Sequence, residues 1–271
     1  MPPHAFTTST LNASRNPVSG RSVRLEAAGR TDVGVVRWKN EDALLIMENL
    51  GVFAVADGMG GAQAGDVASG MLIDTVREVF EDLETTLPLG PEVEHREPAV
   101  LMHAALQRAN RRIRNAGLRD PKKSGMGTTF AGVAFGDGQV VLAHVGDSRI
   151  YRLRDGRLEC LTTDHSPEAE LIAAGFPPSQ SHGSWFLGVL TRAIGLAESL
   201  AVDTRLEPLV PGDLYLLSTD GLHGIVAHKE IEAILLGEEH LTAAVGALTA
   251  RADALGSPDN VTAVLVRASP A

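Results

Sequence analysis

The chain carries one cysteine, Cys160, in 271 residues. A disulfide framework and a thiolate zinc site both need several cysteines at set spacings, so both are excluded. Cys160 itself is expected to pack in a strand. No run of about 18 apolar residues occurs, and the N-terminal residues lack the charged-then-apolar order of a signal peptide. A soluble, cytoplasmic protein is the expectation, with no membrane partner. Basic residues are in deficit, 24 Lys and Arg against 34 Asp and Glu, for a net charge of −10. A general nucleic-acid surface needs clustered Lys and Arg, so that class is set aside. The acidic surplus suits a protein that collects divalent cations, although many inert soluble proteins are equally acidic. Linker-like interruptions are also missing, and the chain reads as one domain over residues 22–269. Residues 1–21, rich in Pro, Ser, Thr and Asn without apolar period, read as a disordered tail.

What is present centres on Phe53-Ala54-Val55-Ala56-Asp57-Gly58-Met59-Gly60-Gly61. An apolar run of strand character stops at a carboxylate and enters glycines, and a helix follows with Ala68, Leu72, Val76, Val79, Phe80 and Leu83 at helical spacing. A nucleotide loop fails on the letters, because the third glycine of G-x-G-x-x-G would fall on Gln63 and no G-x-x-x-x-G-K-[ST] exists. Asp57 is therefore a carboxylate held at a strand end.

Taken in order, a strand is expected at Val23–Ala27, a turn-rich segment at Gly29–Gly34, and a hairpin of Leu44–Met47 and Val52–Ala56 turning near Asn49–Gly51. A second helix carries Met102, Ala105, Leu106, Ala109 and Ile113 on a core-facing stripe. Strands at Thr128–Phe135 and Val140–Val145 flank Gly136-Asp137-Gly138, and strands at Ile150–Leu153 and Leu158–Leu161 flank Asp155-Gly156. Tight turns between neighbouring strands mean antiparallel sheet. The irregular stretch Asp164–Gly195, with a short helix at Pro167–Ala174, is long enough to act as a lid. A strand at Leu214–Leu217, a helix at Leu241–Leu255 and a last strand at Val261–Val266 complete the reading.

Asp57-Gly58, Gly146-Asp147 and Asp220-Gly221 each follow an apolar strand, and Asp259 stands just before one. An Asp beside Gly is ordinarily a turn former. Four of them at the ends of core strands favour convergence, and converging carboxylates stay ionised only around a cation. Hard oxygen ligands without cysteine select Mg²⁺ or Mn²⁺ ahead of Zn²⁺. Two such ions can activate water and bind a phosphate oxygen. Arg37, five residues before Asp42, offers a two-pronged grip on a phosphoryl group, and Glu41-Asp42 adds two acids. Covalent phosphatase routes lack their nucleophile: Cys-x₅-Arg meets Ser166, D-x-D meets Met59, and G-x-S-x-G is absent.

Together, RWKNED at Arg37–Asp42, VADGMGG at Val55–Gly61, GDVAS at Gly65–Ser69, GTT at Gly127–Thr129, VGDSR at Val145–Arg149, TDHS at Thr163–Ser166, LTRAIG at Leu190–Gly195, LSTDGL at Leu217–Leu222 and DNVT at Asp259–Thr262 resemble the bacterial metal-dependent serine/threonine protein phosphatases of type 2C. They follow that family's order over roughly residues 22–267. The resemblance implies an α+β fold, a central sandwich of two antiparallel β-sheets flanked by α-helices on both sides. It implies that Asp57 bridges two Mn²⁺ or Mg²⁺ ions, with the Gly58 carbonyl on the first and Asp220 and Asp259 on the second. Asp147, with Asp220, would hold a third, weaker ion, and Glu41 and Asp42 would hold metal-bound waters. Arg37 would bind phosphate while a metal-bridging hydroxide attacks phosphoserine or phosphothreonine.

Met59 stands where many eukaryotic relatives have a histidine proposed as general acid, so no acid is assigned here. His182 stands as the counterpart of a flap histidine in relatives. Trp185 and Phe186 read first as a packed flap and second as a substrate contact. His144, His165 and His223 read as satisfied structural histidines. The implied partners are a phosphorylated protein and its cognate Ser/Thr kinase, with the chain a monomer. A catalytically silent phosphoprotein-binding module and a hydrolase of small phosphoesters are the alternatives.

Overall fold

The computed structural model describes residues 6–10, 23–60, 64–81, 97–136, 138–176 and 188–270. The strands are β1 (Phe6–Thr10), β2 (Val23–Asp32), β3 (Asp42–Met47), β4 (Val52–Met59), β5 (Gly127–Thr128), β6 (Phe130–Gly136), β7 (Gln139–Val145), β8 (Arg149–Arg154), β9 (Arg157–Cys160), β10 (Asp203–Pro208), β11 (Leu214–Ser218) and β12 (Val261–Pro270). The helices are α1 (Gly65–Glu81), α2 (Pro98–Arg119), α3 (Pro167–Ala173), the single turn α4 (Asp220–His223), α5 (His228–Gly237) and α6 (Leu241–Ala254). One antiparallel sheet runs β1-β2-β12-β11-β8-β9, the other β10-β7-β6-β4-β3 with β5 paired to β4.

The layers follow from alternation along each strand. On β4, Val52, Ala54 and Ala56 pack against α1 and α2, while Phe53 and Val55 face the other sheet. On β12, Val261, Ala263 and Leu265 meet the α4–α6 side, while Val264 and Val266 face inward between the sheets. Both faces of the central strands are therefore buried, which is why they read as continuous apolar runs. Phe53, Phe135 and Tyr215 form two edge-to-face contacts in the inter-sheet core. The result is the four-layer α-β-β-α sandwich, α+β in class.

Several local expectations change. The strand expected to end at Ala27 runs on to Asp32, because Gly29–Asp32 pairs with Val261–Val264 of β12; pairing overrides the turn character of Gly29 to Asp32. Phe6–Thr10, expected in a structureless tail, pairs with Glu26–Arg30 of β2; its three threonines suit a strand. Beyond β1 and the single turn α4, β10 and α5 were also unforeseen. β10 is an edge strand with Glu207 its one buried side chain, and α5 buries Ile231 and Leu235 alone, so neither carries a strong apolar period. Cys160 ends β9 exposed, its Sγ donating to the Thr162 carbonyl. Among the described residues, no helix is long and apolar enough to cross a membrane.

Candidate metal centre

The acidic residues gather at one end of the sandwich because strands from both sheets end there. Asp57 lies in β4 directly opposite Asp42 of β3. The strand does not stop at Asp57 as expected; it continues through Met59 by pairing with β5. Asp57 is held through its backbone, whose N–H donates to Thr129 Oγ1 at 2.9 Å and whose carbonyl accepts from Thr129 N and Thr128 Oγ1, each at 2.9 Å. Thr129 Oγ1 reaches on to Ser148 Oγ at 2.7 Å, which ties the Gly146-Asp147 turn to the same strand end.

Glu41 and Gly58 are locked together. The Glu41 carbonyl accepts from Gly58 N at 3.1 Å and from Ser69 Oγ at 2.6 Å. A Cβ on Gly65 would sit 2.5 Å from the Gly58 carbonyl oxygen and 2.8 Å from Glu41 Oε1, so the first residue of α1 must be glycine for both oxygens to keep their places. Opposite them, Asp220 opens α4, and a Cβ on Gly221 would lie 1.9 Å from the Asn260 carbonyl oxygen. That contact presses the Asp220 turn onto Asp259-Asn260.

Asn260 is the hub that sequence reasoning missed. Its Oδ1 accepts from Glu41 N at 2.8 Å, and its Nδ2 donates to the Val33 and Lys39 carbonyls, each at 2.9 Å. It therefore fixes the 33–41 loop, and with it Arg37, against the start of β12. Thr219 and Thr262 were missed as well; both hydroxyls donate to Asp42 Oδ2, at 2.8 and 2.6 Å. All three sit inside the STDG and DNVT stretches, whose carboxylates alone drew attention. Arg37 reaches the mouth of the cluster, Nε donating to the Pro258 carbonyl at 3.1 Å and a terminal nitrogen to Asp259 Oδ2 at 2.7 Å. Lys39 pairs with Asp66 near the start of α1 at 2.7 Å.

The electrostatics are those of a cluster short of positive charge. Burial, then the charges of Asp42, Asp220, Asp147 and Asp259, push the Asp57 carboxyl well above the usual range. Burial lifts Asp42 to about 7 against the pull of its two hydroxyl donors, with Asp220 and Asp259 adding to the rise. Asp147 is lifted to about 7 by burial and then by Asp220 and Asp164. Asp220 is raised by burial and by Asp259, and its carboxyl lies within hydrogen-bonding reach of Asp57. Its Oδ1 is buried without a hydrogen-bond partner among the described residues. A buried acceptor of this kind among like charges, with hard oxygen donors all round, fits a divalent cation.

The remaining candidates divide. His223 is satisfied, its Nδ1 on Ser218 Oγ at 2.9 Å, and burial with the nearby Arg149 lowers it to about 3. His165 is satisfied at both ring nitrogens, by Gly146 N and Asp203. His144 corrects the expectation, for its buried Nε2 has no hydrogen-bond partner among the described residues. His182 and Trp185 lie outside the described residues, as does Gly61.

Comparison with known proteins places this geometry in context. Residues 37–264 match the family described as protein phosphatase 2C. Serine/threonine phosphatase stp of Listeria monocytogenes serovar 1/2a is 35% identical over 246 residues, spanning 89% of this chain and 95% of that protein. Protein phosphatase PhpP of Streptococcus pneumoniae strain R6 is 32% identical over 248 residues, 89% of this chain and 97% of that one. Among solved structures, PppA, titled a key regulatory component of T6SS in Pseudomonas aeruginosa, aligns at TM-score 0.73 with 35% identity, covering 90% of this chain and 97% of that one. The catalytic domain of the serine/threonine protein phosphatase PstP, in complex with two manganese ions, aligns at TM-score 0.79 with 30% identity, covering 91% and 99%.

Proposed function

From the chain's membership of the protein phosphatase 2C family, we propose that it hydrolyses phosphoserine and phosphothreonine in proteins, opposing a Ser/Thr kinase in bacterial signalling, as a cytoplasmic monomer whose catalytic domain spans residues 22–269. The observation that carries the reading is the meeting of Asp57 and Asp42 from one sheet with Asp220 and Asp259 from the ends of the other, with Arg37 at their mouth. In this assignment Asp57 and the Gly58 carbonyl hold one Mn²⁺ or Mg²⁺, Asp57 with Asp220 and Asp259 holds a second, and Asp147 with Asp220 holds a third more weakly. When bound, such ions supply Lewis acidity toward phosphoryl oxygens and toward water.

The chain's own groups do the rest. Glu41 and Asp42 accept hydrogen bonds from waters in the cluster. Asp42 is kept oriented for this by the Thr219 and Thr262 hydroxyls. Arg37 offers its guanidinium to two phosphoryl oxygens, orienting phosphorus and balancing the charge that grows in the transition state. Met59 has no proton to give, so the leaving serine or threonine oxygen takes its proton from water or from another group.

A protein substrate is favoured over a small phosphoester by the rim around Arg37. Val35, Val36 and Trp38 are 60%, 63% and 79% exposed. They form an apolar edge that a peptide can cover and a small polar metabolite cannot. The presence of every metal-type carboxylate weighs against a silent binding module.

The test is phosphate release from a phosphothreonine peptide and from small phosphoesters, with Mn²⁺ titrated, an EDTA control, and Asp57→Asn and Asp220→Asn beside wild type. Manganese-dependent turnover of the peptide, lost in both variants, is the expected result. A folded wild type that releases no phosphate at any Mn²⁺ or Mg²⁺ level overturns the enzyme reading.

A further inference from the structure

His144, His165 and Asp203 bring three ligand-type atoms within 4.8 Å of one another, and His144 and Asp203 share the wall of a cavity of about 450 Å³. The trio invites a metal, but the hydrogen positions speak against one. Gly146 N–H donates to His165 Nδ1 at 3.0 Å, so Nδ1 must carry a lone pair. The ring proton then sits on Nε2 and points at Asp203 Oδ2, 3.1 Å away. The other oxygen of Asp203 already accepts from Arg192 at 2.7 Å. A cation on Nε2 would have to expel that proton while Gly146 still occupied Nδ1.

The same bonds describe an orienting relay. His165 grips Gly146 from both sides, since its backbone N–H also donates to the Gly146 carbonyl at 2.7 Å. Gly146 cannot be steadied by a side chain of its own: its φ is +105°, and a Cβ would lie 2.6 Å from Thr129 Cγ2. Asp147 follows directly. The His165 carbonyl accepts from Thr191 N at 2.8 Å, which ties the relay to the segment bearing Arg192.

We propose that Asp203 is a positioning residue that holds His165 in its Nε2–H tautomer, so that the imidazole fixes Gly146 and thereby aims the Asp147 carboxylate. The proposal rests on the phosphatase reading for its functional consequence, but not for its hydrogen-bond logic. Arg192 makes the logic testable. In Asp203→Asn the guanidinium needs an acceptor, so the amide oxygen turns to Arg192 and the amide NH₂ turns to His165. Nε2 must then accept, the ring proton moves to Nδ1, and it collides with the Gly146 N–H.

The experiment reads the His165 tautomer by ¹⁵N–¹H correlation in EDTA-treated protein and Mn²⁺ binding by calorimetry, with phosphopeptide turnover alongside. Wild type should show Nε2–H. Asp203→Asn should lose that signature and need roughly 10–100-fold more Mn²⁺ to fill its weakest site, the range usual for loss of a ligand-orienting partner. Asp203→Ala, which removes the acceptor without supplying a wrong donor, should be milder. Adding Arg192→Met to Asp203→Asn frees the amide to rotate and should restore both tautomer and Mn²⁺ binding toward wild type. A residue that merely fills space gives the opposite order, with the isosteric Asn milder than Ala, and that order overturns the proposal. An unchanged tautomer in Asp203→Asn, or a changed tautomer with unchanged Mn²⁺ binding, overturns it too. If Asp203→Asn does not fold, Asp203→Ala decides alone: with the acceptor gone it should show a mixture of the two tautomers and a smaller loss of Mn²⁺ affinity, and a wild-type tautomer with wild-type Mn²⁺ binding overturns the proposal. Tautomer and Mn²⁺ binding are read without turnover, so an inactive wild type would sink the phosphatase reading while leaving the relay testable.

Discussion

Asp147→Asn should stabilise the metal-free protein at neutral pH, although it removes a candidate ligand. Burial and the neighbouring Asp220 and Asp164 lift the Asp147 carboxyl from 3.8 to about 7. Each unit corresponds to about 1.36 kcal/mol, so ionised Asp147 costs the metal-free fold up to about 4 kcal/mol. Water entering the half-open site reduces this to about 1–3 kcal/mol. The pKa is raised in the folded state, so the unfolded chain releases this proton first as pH climbs. The cost is absent below the unfolded value, grows as pH rises toward the folded value of about 7, and is complete above it. Asn carries no charge at any pH. In EDTA at about pH 8, Asp147→Asn should therefore melt roughly 2–12 °C above wild type, taking about 2–4 °C per kcal/mol for a domain of this size. Near pH 4 the two should coincide. Saturating Mn²⁺ should narrow or reverse the gap, because ions that bind only the folded state stabilise wild type more. Differential scanning calorimetry across pH, with and without Mn²⁺, reads all of this. A variant no more stable than wild type at about pH 8 in EDTA, or an advantage that persists at about pH 4, refutes the account of a cluster strained by its own charge.

Three further outcomes follow from single contacts. Asn260→Ala removes the partners of Glu41 N and of the Val33 and Lys39 carbonyls; urea titration should show a loss of about 2–4 kcal/mol, and Mn²⁺-dependent turnover should fall with it as the Arg37 loop comes free. Arg37→Lys keeps the charge but loses the planar fork, so kcat/KM on a phosphothreonine peptide should drop about 10–100-fold with the melting temperature nearly unchanged. Gly65→Ala forces a methyl against the Gly58 carbonyl oxygen and Glu41; calorimetric Mn²⁺ affinity should fall more than stability does, and wild-type affinity would show that the two oxygens have slack.

Asp57, Asp147 and Asp220 were legible because each stands beside glycine at or near the end of an apolar run, and Asp259 because it stands just before one. Asp57, Asp147, Asp220 and Asp259 needed no structure to be singled out. The groups that hold them were not legible, since Asn260, Thr219, Thr262 and Thr129 act through hydrogen bonds to residues far off in sequence. Nothing local distinguishes a threonine that orients Asp42 from one that merely favours a strand. The strand run from Gly29 to Asp32 failed for a related reason: its turn-like composition gives way to pairing with β12, visible only once both are in place. Asp203 lay hidden in an edge strand whose exposed pattern, Asp203-Thr204-Arg205-Leu206, carries no periodic signal.

The position of β12 has a consequence for how the protein comes into being. It lies between β2 and β11, pairing Val23 with Pro270 at one end and Asp32 with Val261 at the other. A nascent chain lacking those residues leaves its first long strand and its eleventh without the neighbour that joins them. A chain that ends before Asp259 also lacks that carboxylate and the Asn260 clamp on the Arg37 loop. Sheet and site are thus closed by the same short stretch, and both wait for it. A ribosome part-way through this message would carry no half-active enzyme, and a clipped or prematurely ended product should be silent rather than promiscuous.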